Sequence, residues 1–206
     1  MNYWEFRDKL LPLGCFCIRQ VLLWFPDFNR TSITRWVGKG LLTKLRNGYY
    51  AFTECKQTPD IQYLIANKIY NPSYVSLHTA LSFYGIIPEM VIQTTSVTTL
   101  KNTRFTNDFG EFSYNNIKEE LFFGYEPKPL KDNRSFLFAT PEKAILDLLY
   151  LYPFYNSEKE IENLRLDDCF MREELDIGRL RNYMALFKNK ALDKRVGLLV
   201  KLYDYD

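Results

Sequence analysis

Hydrophobic positions along the chain switch between two periods, and the switches divide it into parts. Apolar residues recur at helical spacing over residues 4–11 and 17–24, the first run stopped by Pro12 and Gly14 and the second ahead of Pro26. A third helix is predicted from an Asn29 N-cap to about Lys39, with Gly40 placed to take the left-handed conformation that closes helices. At about 100° per residue, Ile33, Trp36 and Val37 share one face of this helix and Thr31, Arg35, Gly38 and Lys39 the other. One side is core and the other is polar and basic.

After Gly40 the period falls to two. Asn47-Gly48, between short alternating runs, is the strongest short-range hairpin signal and predicts a type I′ turn. That register sets Arg46 opposite Tyr49 and Lys44 opposite Ala51. It turns Thr43, Leu45, Tyr50 and Phe52 toward the helices and leaves Lys44 and Arg46 projecting outward. Three helices followed by a basic two-stranded wing predict a winged helix-turn-helix over residues 1–56.

The polar segment KQTPD at 56–60 links this unit to a different pattern. Helices are predicted over 60–70 and 74–84, separated by Asn71-Pro72 and closed by Gly85. Runs rich in β-branched and aromatic residues follow at 91–100, 111–117, 120–125 and 135–139. Thr140-Pro141 supplies an N-cap and first-turn proline for an apolar helix that stops at Pro153, and 158–164, 177–187 and 191–203 are further helices. The expected fold class is therefore α+β: the N-terminal winged helix-turn-helix, then a mixed α/β domain over 60–206 with a small β-sheet and a helical tail.

Charge sharpens this division. The net charge of the 206-residue chain is only +2, yet residues 1–56 carry nine Lys or Arg against four Asp or Glu, a net of +5, while 57–206 carry 18 against 21, a net of −3. A basic module on a mildly acidic body is the distribution expected when one part meets phosphate and the other does not. No apolar run approaches the roughly 18 residues of a membrane span, and Glu5 and Asp8 stand where a signal peptide would be basic and then apolar. These features, and cysteines without paired spacing, lead us to expect a cytosolic protein with no membrane partner.

Candidate chemistry is sparse. Cys15, Cys17, Cys55 and Cys169 include no C-x-x-C pair and no neighbouring histidine, so they read as structural thiols rather than metal ligands. The lone His78, on an apolar-rich helix, reads as a hydrogen-bonded structural residue. Asp108 with Glu126-Pro127-Lys128 loosely echoes the D…E-x-K metal site of restriction-like nucleases, but two prolines around Lys128 are at odds with a paired central strand. No Gly-rich phosphate loop or nucleophile motif occurs. We expect no enzyme activity, no catalytic residues, no metal and no cofactor, with a nuclease targeted by its winged helix, or a protein-interaction module, as the alternatives.

Three segments in order, WVGKGLLTKLRNGYYAF, IANKIYNPSYVSLHTALSFYGI and TPEKAILDLLY, give the chain over about residues 16–150 a resemblance to the AbiEi family of antitoxin-type transcriptional regulators. The family's helix pattern is matched at Tyr74, Val75, Ser76, Ala80, Leu81 and Gly85, while His78-Thr79 departs from it. The resemblance implies a type IV toxin-antitoxin regulator whose N-terminal domain binds inverted repeats in its own promoter. It further implies a C-terminal domain that counteracts a nucleotidyltransferase-like toxin without a stable complex, in abortive phage infection or maintenance of mobile elements. Residues beyond about 155 carry no part of it.

In such a module, Arg30, Thr31, Thr34 and Arg35 would face the major groove, where Arg reads guanine bidentately and Thr meets the thymine methyl. Lys39 completes the basic face of the helix. Lys44 and Arg46 on the wing would meet phosphate or the minor groove.

Overall fold

A computed structural model describes residues 1–130 and 133–203. The first unit runs helix α1 (Tyr3–Leu10), strand β1 (Cys15–Cys17), helices α2 (Ile18–Trp24) and α3 (Thr31–Gly38), and a hairpin of β2 (Leu42–Arg46) and β3 (Tyr49–Phe52). Side chains ahead of the first turns hold the helix starts, at α1 from the N-cap itself and at α3 from one residue before its N-cap, which is Arg30 rather than the expected Asn29. Asn2 accepts from the Glu5 amide at 2.9 Å, and Asn29 accepts from the Thr31 amide at 3.0 Å. Strand β1 lies outside the sequence expectation: a three-residue C-F-C is too short to show a period, and it pairs antiparallel with β3 to give a three-stranded sheet ordered β1-β3-β2. Phe6, Phe16, Phe28, Trp36 and Phe52 interlock beneath that sheet, with Phe6 centred 4.8 Å from Trp36 and 5.4 Å from Phe16.

The hairpin departs from its expected register. A type I′ turn needs positive φ at both central residues, and here Gly48 has it, at 81°, while Asn47 does not. The strand absorbs the mismatch as a bulge between Lys44 and Arg46, so Lys44 stands opposite Tyr50 rather than Ala51, although Arg46 keeps Tyr49 as its partner.

In the body, the sheet is larger than the sequence suggested. Strands β4 (Ser73–Val75), β5 (Thr94–Thr98), β6 (Thr103–Asn107), β7 (Gly110–Asn116), β8 (Tyr125–Pro129) and β9 (Ser135–Ala139) form one mixed sheet ordered β6-β7-β5-β4-β9-β8. The run 120–125 is a correction: its first residues belong to a 3₁₀ turn over Glu119–Leu121, and the strand begins only at Tyr125. The single helix expected over 74–84 is another, because Ser73–Val75 pairs with β5 and β9 before α5 (Leu77–Phe83) starts.

Helices α4 (Ile61–Ile69) and α6 (Pro141–Leu151) pack on opposite faces of the sheet. Alternation along β4 sends Ser73 Oγ to the Ala66 carbonyl of α4 and the Tyr74 hydroxyl to Asp147 of α6. Helices α7 (Glu158–Glu162), α8 (Ile177–Phe187) and α9 (Lys190–Leu202) form the tail, with α8 and α9 against α6. No helix of the described residues is long and apolar enough to cross a membrane.

The two units touch through specific polar contacts. Asn107 donates to the Leu45 carbonyl at 3.1 Å, and Lys56 pairs with Asp108 at 3.2 Å.

Candidate nucleic-acid interface

Helix α3 buries Ile33 and Trp36 in the aromatic core, and its spacing then forces Arg30, Thr31, Thr34, Arg35 and Lys39 outward. All five are exposed, as is Lys44 on β2. Their side chains have few commitments. Thr31 Oγ1 donates to the Asn29 cap at 2.8 Å, and Arg35 reaches Ser32 Oγ at 3.5 Å, at the edge of hydrogen-bonding distance. Among the described residues none of the four cations, Arg30, Arg35, Lys39 and Lys44, is paired with a carboxylate. On the same unit Arg7 is paired, holding Glu54 through two hydrogen bonds of 2.7 and 2.8 Å. That bond keeps the Glu54 carboxyl below its usual pKa and raises the guanidinium's. The α3 face is thus a row of uncompensated positive charge along a helix fixed by its core.

Arg46 is a correction. The bulge turns it away from solvent, and its guanidinium donates to the Ile69 carbonyl at the end of α4, 2.5 Å away. It lies over the rings of Phe105 at 4.7 Å, Tyr49 at 5.5 Å and Tyr70 at 5.7 Å. Arg46 therefore pins the hairpin to the body, where the alternation rule had it facing outward. Register alone carries no information about a carbonyl 23 residues further on.

No protein-family model matches this chain, and no curated protein sequence matches it.

The other residues singled out by sequence are dispersed. Asp108 sits in the turn between β6 and β7 at one edge of the large sheet, whereas Glu126 and Lys128 lie on β8 at the other, five strand spacings or roughly 24 Å away. Lys128 pairs with Glu126 at 2.8 Å and covers the Tyr84 ring. The D…E-x-K arrangement is not assembled. The four cysteines are free thiols. Cys17 Sγ caps the Gln20 amide at 3.4 Å, and burial pushes the Cys15 thiol up to about 12. His78 is half-buried with its ring 5.8 Å from that of Tyr152, and makes no hydrogen bond among the described residues, contrary to expectation. It lines a groove of about 500 Å³ beside Glu89, Tyr155, Met90 and Ile92.

One constellation escaped sequence reasoning. Tyr74 and Ser76 both donate to Asp147 Oδ2, at 2.9 and 2.8 Å, while Lys143 donates to Asp147 Oδ1 and, at 2.9 Å, to the Tyr74 hydroxyl. Lys143 and Asp147 are wholly buried. Phe123 and Phe187 flank the ammonium, and Gly124 passes so close that a Cβ there would lie 2.9 Å from the lysine stem. Burial pushes the Asp147 carboxyl up and the Lys143 ammonium down, and each opposes the other's shift. A signal existed: Lys143 and Asp147 stand four apart in an otherwise apolar helix, the spacing of an intrahelical ion pair. With no access to solvent, this cluster fixes the packing of α6 on β4 and contacts nothing outside.

Proposed function

We propose that residues 1–56 are a winged helix-turn-helix that binds double-stranded DNA in the protein's own promoter, and that the chain is a cytosolic transcriptional autorepressor and antitoxin. The observation that carries this reading is the exposed, uncompensated face of α3 together with Lys44 on the adjoining hairpin. The order helix, strand, two helices, hairpin, with β1 completing a three-stranded antiparallel sheet, supports it, because that framework presents its third helix to a major groove. Arg30, Thr31, Thr34 and Arg35 read base edges, and Lys39 and Lys44 contact phosphate. Arg46 is left out of the contact set.

The antitoxin half of the proposal rests on the resemblance to AbiEi proteins. The motifs that carry it, around Tyr74 to Ser76 and Lys143 to Asp147, meet in one buried cluster. A shared interior framework of this kind explains why such motifs would recur together. The body then opposes a nucleotidyltransferase-like toxin without a stable complex and without catalysis of its own.

The test is a gel-shift titration of the full chain against duplex DNA from upstream of its own gene and against random duplex of equal length. Tighter binding of the upstream fragment, by about 10³-fold or more, is expected of a specific operator. Equal affinity for both removes the repressor reading, and plasmid cleavage in the presence of Mg²⁺ would replace it with a nuclease.

A further inference from the structure

Charge is distributed in the body as unevenly as between the two units. Residues 57–176 carry 11 Lys or Arg against 18 Asp or Glu, a net of −7, and then the tail segment 177–203 carries seven against one, a net of +6. Solvated surfaces ordinarily intersperse the two signs. The +6 segment is the helical pair α8–α9, which buries Leu180, Phe187, Leu192, Val196 and Leu199 against the body and turns its cations outward.

Three of the seven cations serve the fold. Arg195 donates to the Leu149 carbonyl at 2.7 Å, Lys201 pairs with Glu158 at 2.6 Å, and Arg179 lies 3.6 Å from both Asp176 and Glu142. Lys188, in the turn between the helices, and Lys190 and Lys194, one helical turn apart on α9, are exposed and have no carboxylate partner among the described residues. This patch is on the α6 side of the sheet, away from α4 and β6, where the N-terminal unit is anchored.

We infer that the α8–α9 turn is a second nucleic-acid contact surface, in which Lys188, Lys190 and Lys194 engage the phosphodiester backbone. Phosphate is favoured over a protein partner by the composition of the patch. Protein interfaces are depleted in Lys and centre on aromatic anchors, whereas backbone-binding faces are rows of Lys and Arg. The α9 amides are not the binding element, because Asn189 already accepts from those of Ala191 and Leu192 at 3.0 and 3.1 Å. Contacts of this kind are independent of sequence, so the surface holds flanking duplex or RNA and adds no base readout. The inference stands apart from the promoter reading, since it concerns a different face and a different probe.

The experiment uses the full chain with Lys188, Lys190 and Lys194 all changed to Ala, beside a second variant with Arg35, Lys39 and Lys44 changed to Ala. Fluorescence anisotropy is followed against a random-sequence DNA duplex and against an RNA hairpin of equal length. Loss of three phosphate contacts lowers the salt slope by about 2.7 on duplex. Between about 50 and 200 mM salt, wild type should therefore lose roughly 40-fold more affinity than the tail variant does. Circular dichroism melting is expected to change little, because the three side chains are exposed, Ala favours helix at positions 190 and 194, and at Lys188, φ 47°, Lys and Ala bear the same left-handed strain. Weakening on DNA alone, RNA alone or both supports the surface and names its ligand. A tail variant that matches wild type in affinity and slope on both probes overturns it, as does a wild type that binds neither probe at low salt.

Discussion

The α3 face and the Lys143–Asp147 cluster are both made of charged and hydroxyl-bearing side chains, and they do opposite things. On α3 the cations stand in water without carboxylate partners, so their attraction for a ligand is unspent. In the cluster every polar group is satisfied inside the protein, and its charges hold α6 to β4. Arg46 belongs with the second kind despite its place on the hairpin beside the first. What a charged residue touches, rather than its type or its neighbours in sequence, decides whether it binds a partner or fixes a fold.

The largest effect expected from breaking this contrast is at Asp147. Asp147→Leu strands the buried Lys143 ammonium and should cost about 3–5 kcal/mol in urea denaturation, whereas replacing both partners, Lys143→Met with Asp147→Leu, should recover most of that. A double variant no more stable than the single one would mean that the pair is not the unit. Next is Arg46→Ala, which removes a charged hydrogen bond to a carbonyl and should cost about 1.5–3 kcal/mol of stability. With its guanidinium committed to the Ile69 carbonyl, Arg46→Ala is expected to weaken promoter binding with its salt slope unchanged. A slope lowered by about 0.9 would return Arg46 to the DNA-contacting set.

On the exposed side the pattern inverts. Arg35→Ala should leave the melting temperature nearly unchanged yet cost roughly 1–3 kcal/mol of promoter binding, if it reads a guanine, with selectivity relaxed at one base position. Lys44→Ala should instead weaken binding to all duplexes and reduce the salt slope by about 0.9.

The smallest effect concerns pH. Burial lowers the His78 pKa below its ordinary 6.5, with Glu89 opposing the shift, so the unfolded chain takes up the proton first as pH falls. The contribution of a neutral His78 is complete above that ordinary value and is lost as pH drops toward the lowered folded one. Thermal melts of wild type between about pH 5 and 7 should slope accordingly, and His78→Gln should flatten them.

Much of the fold was legible where local chemistry decides it. Thr140-Pro141 starts α6 because the Thr140 hydroxyl accepts the Lys143 amide, and that needs no distant partner. The same holds for Asn29 ahead of α3 and for SFLFA, which is strand β9 with the expected bounds. The α3 face was legible too, since a helix with Ile33 and Trp36 in the core must turn Arg35 and Lys39 out. Strands β1, β4 and β6 were missed for a common reason. Their hydrophobic periodicity is too weak, with only three residues in β1 and β4 and a mostly polar run at the sheet edge in β6, and such strands exist only because a partner supplies their hydrogen bonds, as Ala51 does for Cys15 and Ser96 for Val75.

By itself, then, the sequence determined the caps, the amphipathic faces, the division of charge and the position of the hairpin, all of them set within a few residues along the chain. Tertiary structure alone decided the hairpin's bulge, the seating of the half-buried Arg46 against Ile69 and Phe105, the meeting of Tyr74 with Asp147 across 73 residues, and the separation of Asp108 from Glu126 across the sheet. Those outcomes depend on which surfaces exclude water together. Burial of a polar group is settled by the partner that satisfies it, and that partner is chosen by the packing of the whole chain.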